Sequence, residues 1–146
     1  MASLAEAVKD QGKRKAVIDD CSVLIDGEVR DKGGLSGMAI KAAYATVKAV
    51  RPDVVPLAMD GLIDDFSAKV DPYWARCQTE NAVPREFFVR HKVEIANALL
   101  GITDDRAKRT PHRTLKSAYE KLRPQAVEHI GVAMPRLADL IKKHAS

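Results

Sequence analysis

Apolar residues recur every three or four positions along most of the chain, and this spacing restricts the fold more than any other feature. One stripe runs through Val17, Cys21 and Leu24, and another includes Met59 and Ile63. Residues spaced in this way lie on one face of an α-helix. No segment alternates apolar and polar residues with the period of two that a half-buried strand requires. The pattern therefore predicts an all-α protein.

Glycine and proline residues divide these stripes into segments. Gly33-Gly34, Arg51-Pro52 and Arg123-Pro124 each separate two helical patterns. Hydrophobic residues make up 46% of the chain and aromatic residues only 5%, which favours helices over a sandwich or barrel. We expect a single domain, residues 1–146, folded as one compact bundle of about six to eight helices.

Local capping chemistry predicts several helix boundaries. Ser36 is expected to cap the helix that follows the double glycine. Asp71-Pro72 is expected to begin a new helix, because proline is tolerated in a first turn. Thr103-Asp104-Asp105 is expected to begin another, and Pro135 is expected to kink or restart the last helix.

A five-residue pattern occurs twice in the chain. Ile40-Lys41-Ala42-Ala43-Tyr44 reappears 75 positions later (44 to 119) as Leu115-Lys116-Ser117-Ala118-Tyr119, and an Arg-Pro dipeptide follows each copy. One interpretation is an internal duplication, with two pseudo-symmetric three-helix halves of about residues 1–72 and 73–146. The other is chance similarity between two alanine-rich helices.

The repeated pattern also defines a hypothetical small-ligand pocket between the two halves. Its candidate residues are Lys41, Tyr44, Lys116 and Tyr119. The alternative is that the tyrosines belong to two core stripes and that each hydroxyl reaches a polar partner at the edge of the core.

Charge is distributed unevenly around a formal net charge of +4. Residues 106–123 hold seven Lys or Arg against one acid, whereas residues 53–80 hold six acids against two cations. The acidic and basic segments make head-to-tail self-association or an acidic partner reasonable hypotheses. The basic segment is also a hypothetical polyanion site, with the candidate contacts Lys108, Arg109, Arg113, Lys116, Lys121 and Arg123. Nucleic acid is the less favoured partner, because the segment lacks aromatic residues interleaved with its cations.

The sequence predicts no catalytic residue, no cofactor and no metal ligand. In the glycine turn at 33–37, Gly37 is followed by Met38, whereas a phosphate-binding loop requires lysine at that position. The four histidines lack zinc-ligand spacing, and no serine or cysteine has the neighbours of an activated nucleophile. We therefore expect a protein that is not an enzyme and that acts through contacts with a partner protein or with itself.

The chain has no apolar run that approaches the roughly 20 residues needed to cross a bilayer, and no signal peptide is recognisable. Cys21 and Cys77 lie far apart without a CxxC motif. These features predict two reduced thiols and a cytoplasmic location without a membrane partner.

Three stretches of the chain resemble a known family. They are a Ser-Gly followed by an Ile-Lys-x-x-Tyr helix at 36–44, a Thr-Asp-x-Arg-Ala segment at 103–107, and Lys-x-Ala-Tyr-Glu-Lys-Leu-Arg-Pro at 116–124. As a set they are similar to a family of small, soluble, uncharacterised bacterial proteins of unknown function. The resemblance covers most of the chain and is weakest over residues 71–92. It implies a small soluble helical domain and supplies no activity or site residue.

Overall fold

A computed structural model describes residues 3–145, and every regular element in that range is helical, which confirms the predicted all-α class. Within this range the chain begins with a single helical turn, continues through three long helices, a short one and a fourth long one, and ends in shorter helices. In chain order the helices are α1 (Leu4–Ala7), α2 (Gln11–Asp31), α3 (Gly34–Val50), α4 (Val54–Thr79), α5 (Pro84–Arg90), α6 (Lys92–Arg109), α7 (Arg113–Leu122), a 3-10 turn (Arg123–Gln125), α8 (Ala126–Val132) and α9 (Met134–Ala145).

The buried core is formed by α1, α2, α4, α5, α6 and α9. Phe87 and Phe88 of α5 are fully buried, as are Met134 and Ile141 of α9. Burial of apolar side chains of this size is the main source of free energy for folding. Within residues 3–145, neither the buried residues of this cluster nor the half-buried ones packed against it include any from α3 or α7. These two helices therefore lie outside the core.

Helix α4 passes through Pro72, so the predicted helix start at Asp71-Pro72 is wrong. Proline deprives the carbonyl of Ala68 of its usual helical donor, but Ala68 and Pro72 are both on the exposed side of α4. Water can satisfy a carbonyl there. Asp71 instead caps α1, because its two carboxylate oxygens accept hydrogen bonds from the backbone N–H groups of Leu4 (2.8 Å) and Ala5 (3.0 Å).

The turn between α2 and α3 also differs from the prediction. Gly33, in extended backbone, is the N-cap of α3, and Ser36 lies inside the first turn. The Ser36 hydroxyl donates to Gln125 Oε1 and lies at the same distance, 2.7 Å, from His129 Nε2. Ser36 therefore joins α3 to the segment around α8 and does not cap its own helix.

Helix α6 is continuous from Lys92 to Arg109, so the new helix start predicted at Thr103-Asp104-Asp105 is wrong. Asp104 serves a contact between helices, described below. The interruption occurs earlier, at His91, which ends α5 and caps α6. The predicted restart near Pro135 is confirmed, since α8 ends at Val132 and α9 begins at Met134.

Candidate functional site between α3 and α7

Tyr44 anchors α3 to the core bundle. Its hydroxyl donates a hydrogen bond to Asp26 of α2. Lys48, one turn further along α3, has its Nζ 3.5 Å from the same carboxylate and 5.0 Å from the centre of the Tyr44 ring. Burial and the hydrogen bond to Asp26 raise the pKa of Tyr44. The phenol therefore stays protonated and remains a donor at neutral pH.

Tyr119 anchors α7 to α6 in a similar way. Its hydroxyl donates to Asp104 and lies 2.9 Å from the Thr103 hydroxyl. Arg123 donates from two nitrogens to the two oxygens of the Asp104 carboxylate, at 2.8 and 3.0 Å. The hydrogen bonds from Arg123 and Tyr119 lower the pKa of Asp104, while burial and Asp104 raise the pKa of Tyr119.

The repeated sequence pattern thus corresponds to a repeated anchor. Tyr119 follows Tyr44 by 75 positions (44 to 119), and Arg123 follows Lys48 by the same number (48 to 123). In both copies a tyrosine and a cation one turn later meet an aspartate of the preceding long helix. The acceptors, Asp26 and Asp104, are 78 positions apart (26 to 104), three more than the two tyrosines. The second aspartate therefore lies about one helical turn further along its helix than an exact repeat would place it. The duplication itself stays a prediction.

A groove of about 520 Å³ lies between α3 and α7. Most of its wall is made of small side chains, with a cation toward each end of the α7 side. The lining residues are Ala39, Ala42, Ala43 and Thr46 of α3 and Arg113, Thr114, Ser117, Ala118 and Lys121 of α7. A second hollow of about 440 Å³ shares Arg113 and Thr114 and extends to Val47, Val50 and Val54. The two hollows are therefore neighbours along the helix pair.

The four residues predicted for a small-ligand pocket lie beside this groove and not in its lining. Tyr44 and Tyr119 are half-buried, with their hydroxyls on Asp26 and Asp104. Lys41 and Lys116 are exposed. The structure brings the two repeated helices together, as the hypothesis required, but the small residues of the pattern, and not its lysines and tyrosines, line the groove. The small-ligand pocket at these four residues stays a prediction.

The predicted polyanion contacts divide into paired and unpaired cations. Arg109 is paired with Asp105, Arg123 is held by Asp104, and Lys108 lies in the field of the same Asp104 carboxylate. The other three make no hydrogen bond or ion pair within the described part of the chain, and all three are exposed on α7: Arg113, Lys116 and Lys121. Two of these unpaired cations line the groove.

The acidic segment, by contrast, is largely neutralised within the molecule. Arg14 donates to Asp60 and Asp64 at 3.0 and 2.9 Å, and Arg106 lies 2.9 Å from Asp65. The remaining acids of residues 53–80 are engaged as well: Asp53 by Arg51, Asp71 by the backbone of α1, and Glu80 by Arg90. The uneven charge of the sequence therefore leaves an open basic face on α7 without an equivalent open acidic face on α4.

Helix α3 exposes an unusual amount of apolar surface. Leu35, Met38 and Val50 are 87%, 67% and 69% exposed. Only Gly37 and Ile40 of this helix are buried, and its 17 residues include no acid. Helix α7 has no buried residue. A helix with as few charges as α3 is normally covered by other elements, so the outer side of α3 lacks a covering element in the monomer.

Residues 3–145 contain neither a helix that could span a membrane nor a cluster of metal ligands. No helix in that range has the length and apolar character needed to cross a bilayer. Likewise, the described part of the chain contains no cluster of three or more His, Cys, Asp or Glu side chains arranged to hold a metal ion.

Comparisons with known proteins identify a family and no individual relative. Neither the curated proteins nor the solved structures contain a match to this chain. The family described as Family of unknown function (DUF6918) matches residues 4–145, and this confirms the resemblance found in the three sequence stretches. The match includes both repeated helices and both tyrosine anchors. The chain therefore belongs to the DUF6918 family of unknown function.

Proposed function

We propose that this protein is not an enzyme and acts in the cytoplasm by binding a partner protein through the α3–α7 face, meaning the groove together with Leu35, Met38 and Val50. The observation that supports this most strongly is the exposure of these three side chains on a helix pair outside the core. Large exposed apolar side chains grouped on one face often mark interaction sites. The cytoplasmic location is supported by the two cysteines, which are both free and buried.

A different protein suits this face better than a second copy of the chain. In a symmetric dimer the same patch meets itself, so Arg113 and Lys121 of one copy would approach the cations of the other. Like charges brought together at an interface disfavour binding. Head-to-tail contact with the acidic segment is disfavoured too, because Asp60, Asp64 and Asp65 are already paired with arginines.

Site-specific photo-crosslinking in cells tests the proposal directly. A photoreactive amino acid replaces Leu35 on the α3–α7 face or, as a control, Val23 of α2, which is also well exposed at 69%. We expect a discrete adduct with another protein from position 35 and none from position 23. Adducts from both positions alike, adducts only with a second copy, or no adduct would contradict the proposal.

Reconstitution with the purified crosslinked protein provides the quantitative step. Leu35→Ser removes the most exposed of the three apolar side chains that define the face, whereas Val23→Ser makes a comparable change elsewhere. We expect the first variant to weaken binding by at least about tenfold, since a buried leucine contributes roughly 1.5–3 kcal/mol, and the second to leave it unchanged. Equal affinities for the two variants would contradict the role of the α3–α7 face.

Polyanion binding is a second candidate, favoured by the three unpaired cations of α7, Arg113, Lys116 and Lys121. It predicts affinity for single- or double-stranded DNA that falls steeply with salt and that is lost when the three cations are replaced by glutamine. Most of the groove lining consists of small side chains, which a polyanion does not require, so a partner protein remains our first choice.

A further inference from the structure

We infer that the groove between α3 and α7 binds an amphipathic helix of the partner protein, one that presents small or medium apolar residues flanked by carboxylates about two turns apart. This inference rests on the proposed function and specifies its ligand. Three features of the groove support it: the spacing of its lining residues, the size of their side chains, and the sign of its charges.

The exposed side of α3 carries the spacing of a helix-packing seam. Leu35, Ala39, Ala42, Thr46 and Ala49 are separated by four, three, four and three residues, and all five are exposed. Residues with this alternation form the contact line between helices that pack at a shallow angle. The seam spans 14 residues, about 21 Å. This length suits a helix of four turns better than a small molecule.

Helix α7 carries a matching seam on the other wall. Thr114, Ser117 and Lys121 are separated by three and four residues and are also exposed. Two adjacent helices with such seams leave a groove in which a third helix can contact both, as in helix-in-groove recognition. The small side chains Ala42, Ala118 and Ser117 allow the backbone of that helix to approach closely.

The charge of the groove selects acidic residues on the incoming helix. Arg113 and Lys121 line the groove without an intramolecular partner, and its lining contains no carboxylate. They are eight residues apart on α7, which places them about 12 Å from each other along the helix axis. Two carboxylates separated by two turns of a partner helix meet both cations. Charge complementarity of this kind steers association and fixes the register of the helix.

A series of synthetic helical peptides tests this inference with the full-length chain. Each 15-residue fluorescent peptide has the same leucine and alanine seam, and only the two flanking positions differ, as glutamate, glutamine or lysine. We expect fluorescence anisotropy to rank the affinities Glu, Gln, Lys, with at least about a tenfold difference between the first and last at low salt. A flat or reversed ranking, or no binding by any peptide, would overturn the inference.

Charge reversal on the protein gives the complementary test. Arg113→Glu combined with Lys121→Glu is expected to invert the ranking, so that the lysine peptide binds most tightly. Lys69→Glu, on the exposed side of α4, is the matched control and is expected to preserve it. Circular dichroism verifies that each variant is helical, and inversion of the ranking cannot arise from a variant that is merely unfolded. Retention of the original ranking by the double variant would contradict the proposed contacts.

Two further outcomes separate this inference from the other hypotheses. If Leu35 crosslinks to a partner in cells but no peptide binds, the α3–α7 face is an interface with a ligand other than an acidic helix, and only the inference fails. If position 35 yields no adduct, the proposed function fails independently of the peptides. If double-stranded DNA displaces the glutamate peptide and binds more tightly at equal ionic strength, the cations serve phosphate and the inference is overturned.

Discussion

Gly37 occupies the point at which α3 approaches the end of α2 most closely. A Cβ atom at this position would lie 2.7 Å from the carbonyl carbon of Lys32 and 3.0 Å from its oxygen. These are backbone atoms, which cannot move aside as the tip of a flexible side chain does. We therefore expect Gly37→Ala to lower the free energy of unfolding by about 1–3 kcal/mol, as overpacking usually does. Urea denaturation followed by circular dichroism measures the change.

Gly101 offers a matched control for this prediction. It lies within α6, is exposed, and a Cβ added there would meet no atom within 4 Å. Because alanine has the higher helix propensity, Gly101→Ala is expected to stabilise the protein by up to about 1 kcal/mol. The same substitution should thus have opposite signs at the two positions. Destabilisation at both, or at neither, would contradict the close approach at Gly37.

For single residues, the sequence predicted that a side chain makes a polar contact better than it predicted which residue is the partner. Ser36 was expected to satisfy the amides of its own helix, but its hydroxyl contacts Gln125 and His129, 89 and 93 residues away. Tyr44 and Tyr119 were expected to place a hydroxyl at a polar partner, and the structure supplies Asp26 and Asp104. Helical periodicity relates residues three or four apart, so it contains no information on partners in another helix.

Individual helices are joined by a few charged pairs whose strength depends on pH. Asp104 links α6 to α7, and the hydrogen bonds from Arg123 and Tyr119 lower its pKa in the folded state. A carboxylate with a depressed folded pKa contributes stability above its unfolded pKa, about 3.9. That contribution is lost as the pH falls from the unfolded value through the folded one. The attachment of α7 should therefore weaken at acid pH.

Asp104→Asn tests this prediction. The variant retains a hydrogen-bond acceptor for Tyr119 but cannot carry the charge that binds Arg123. We expect it to be less stable than the parent protein near neutral pH, with a difference that narrows as the pH falls below about 4. The effect should be moderate, because the Asp104 side chain is about one-third exposed and solvent screens the pair. A stability difference that is constant from pH 7 to pH 2 would contradict the assignment.

Helix boundaries show where local signals are sufficient and where they are not. The double glycine and Arg51-Pro52 separate helices as predicted, because glycine and proline both disfavour helical backbone where packing does not override them. Pro72 did not end α4, since Val70 and Trp74 on either side of it are buried in the core. The free energy gained by burying those side chains outweighs the loss of one hydrogen bond on an exposed face.

The whole molecule consists of a core bundle and an outer pair of helices, a division that composition alone did not reveal. The uneven charge of the sequence predicts a basic segment and an opposing acidic segment. Its acids are instead paired with arginines from distant positions, such as Arg14 with Asp60 and Asp64. Only folding brings such residues together. Likewise, the apolar residues of α3 are typical of a core helix, and their exposure becomes visible only once the packing of the other helices is known.

This division predicts that the outer pair opens before the core unfolds. Helices with few buried side chains exchange their amide hydrogens through local opening, whereas core helices exchange mainly through global unfolding. Only Gly37 and Ile40 of α3 are buried, and α7 has no buried residue, whereas α5 and α9 contain fully buried side chains. We therefore expect native-state hydrogen exchange to be fastest in α3 and α7 and slowest in α5 and α9.

Removal of a tyrosine hydroxyl refines this expectation. Tyr119→Phe deletes the hydrogen bond to Asp104 and leaves the ring in place. It should accelerate exchange in α7 several-fold, in line with the roughly 0.5–1.5 kcal/mol of a single hydrogen bond, while exchange in α5 and α9 changes only if global stability does. Equal acceleration in all four helices would mean that α3 and α7 unfold with the core as one cooperative unit. Separate opening would instead predict that the acidic helix proposed for the groove, by binding the closed pair of helices, slows exchange selectively in α3 and α7.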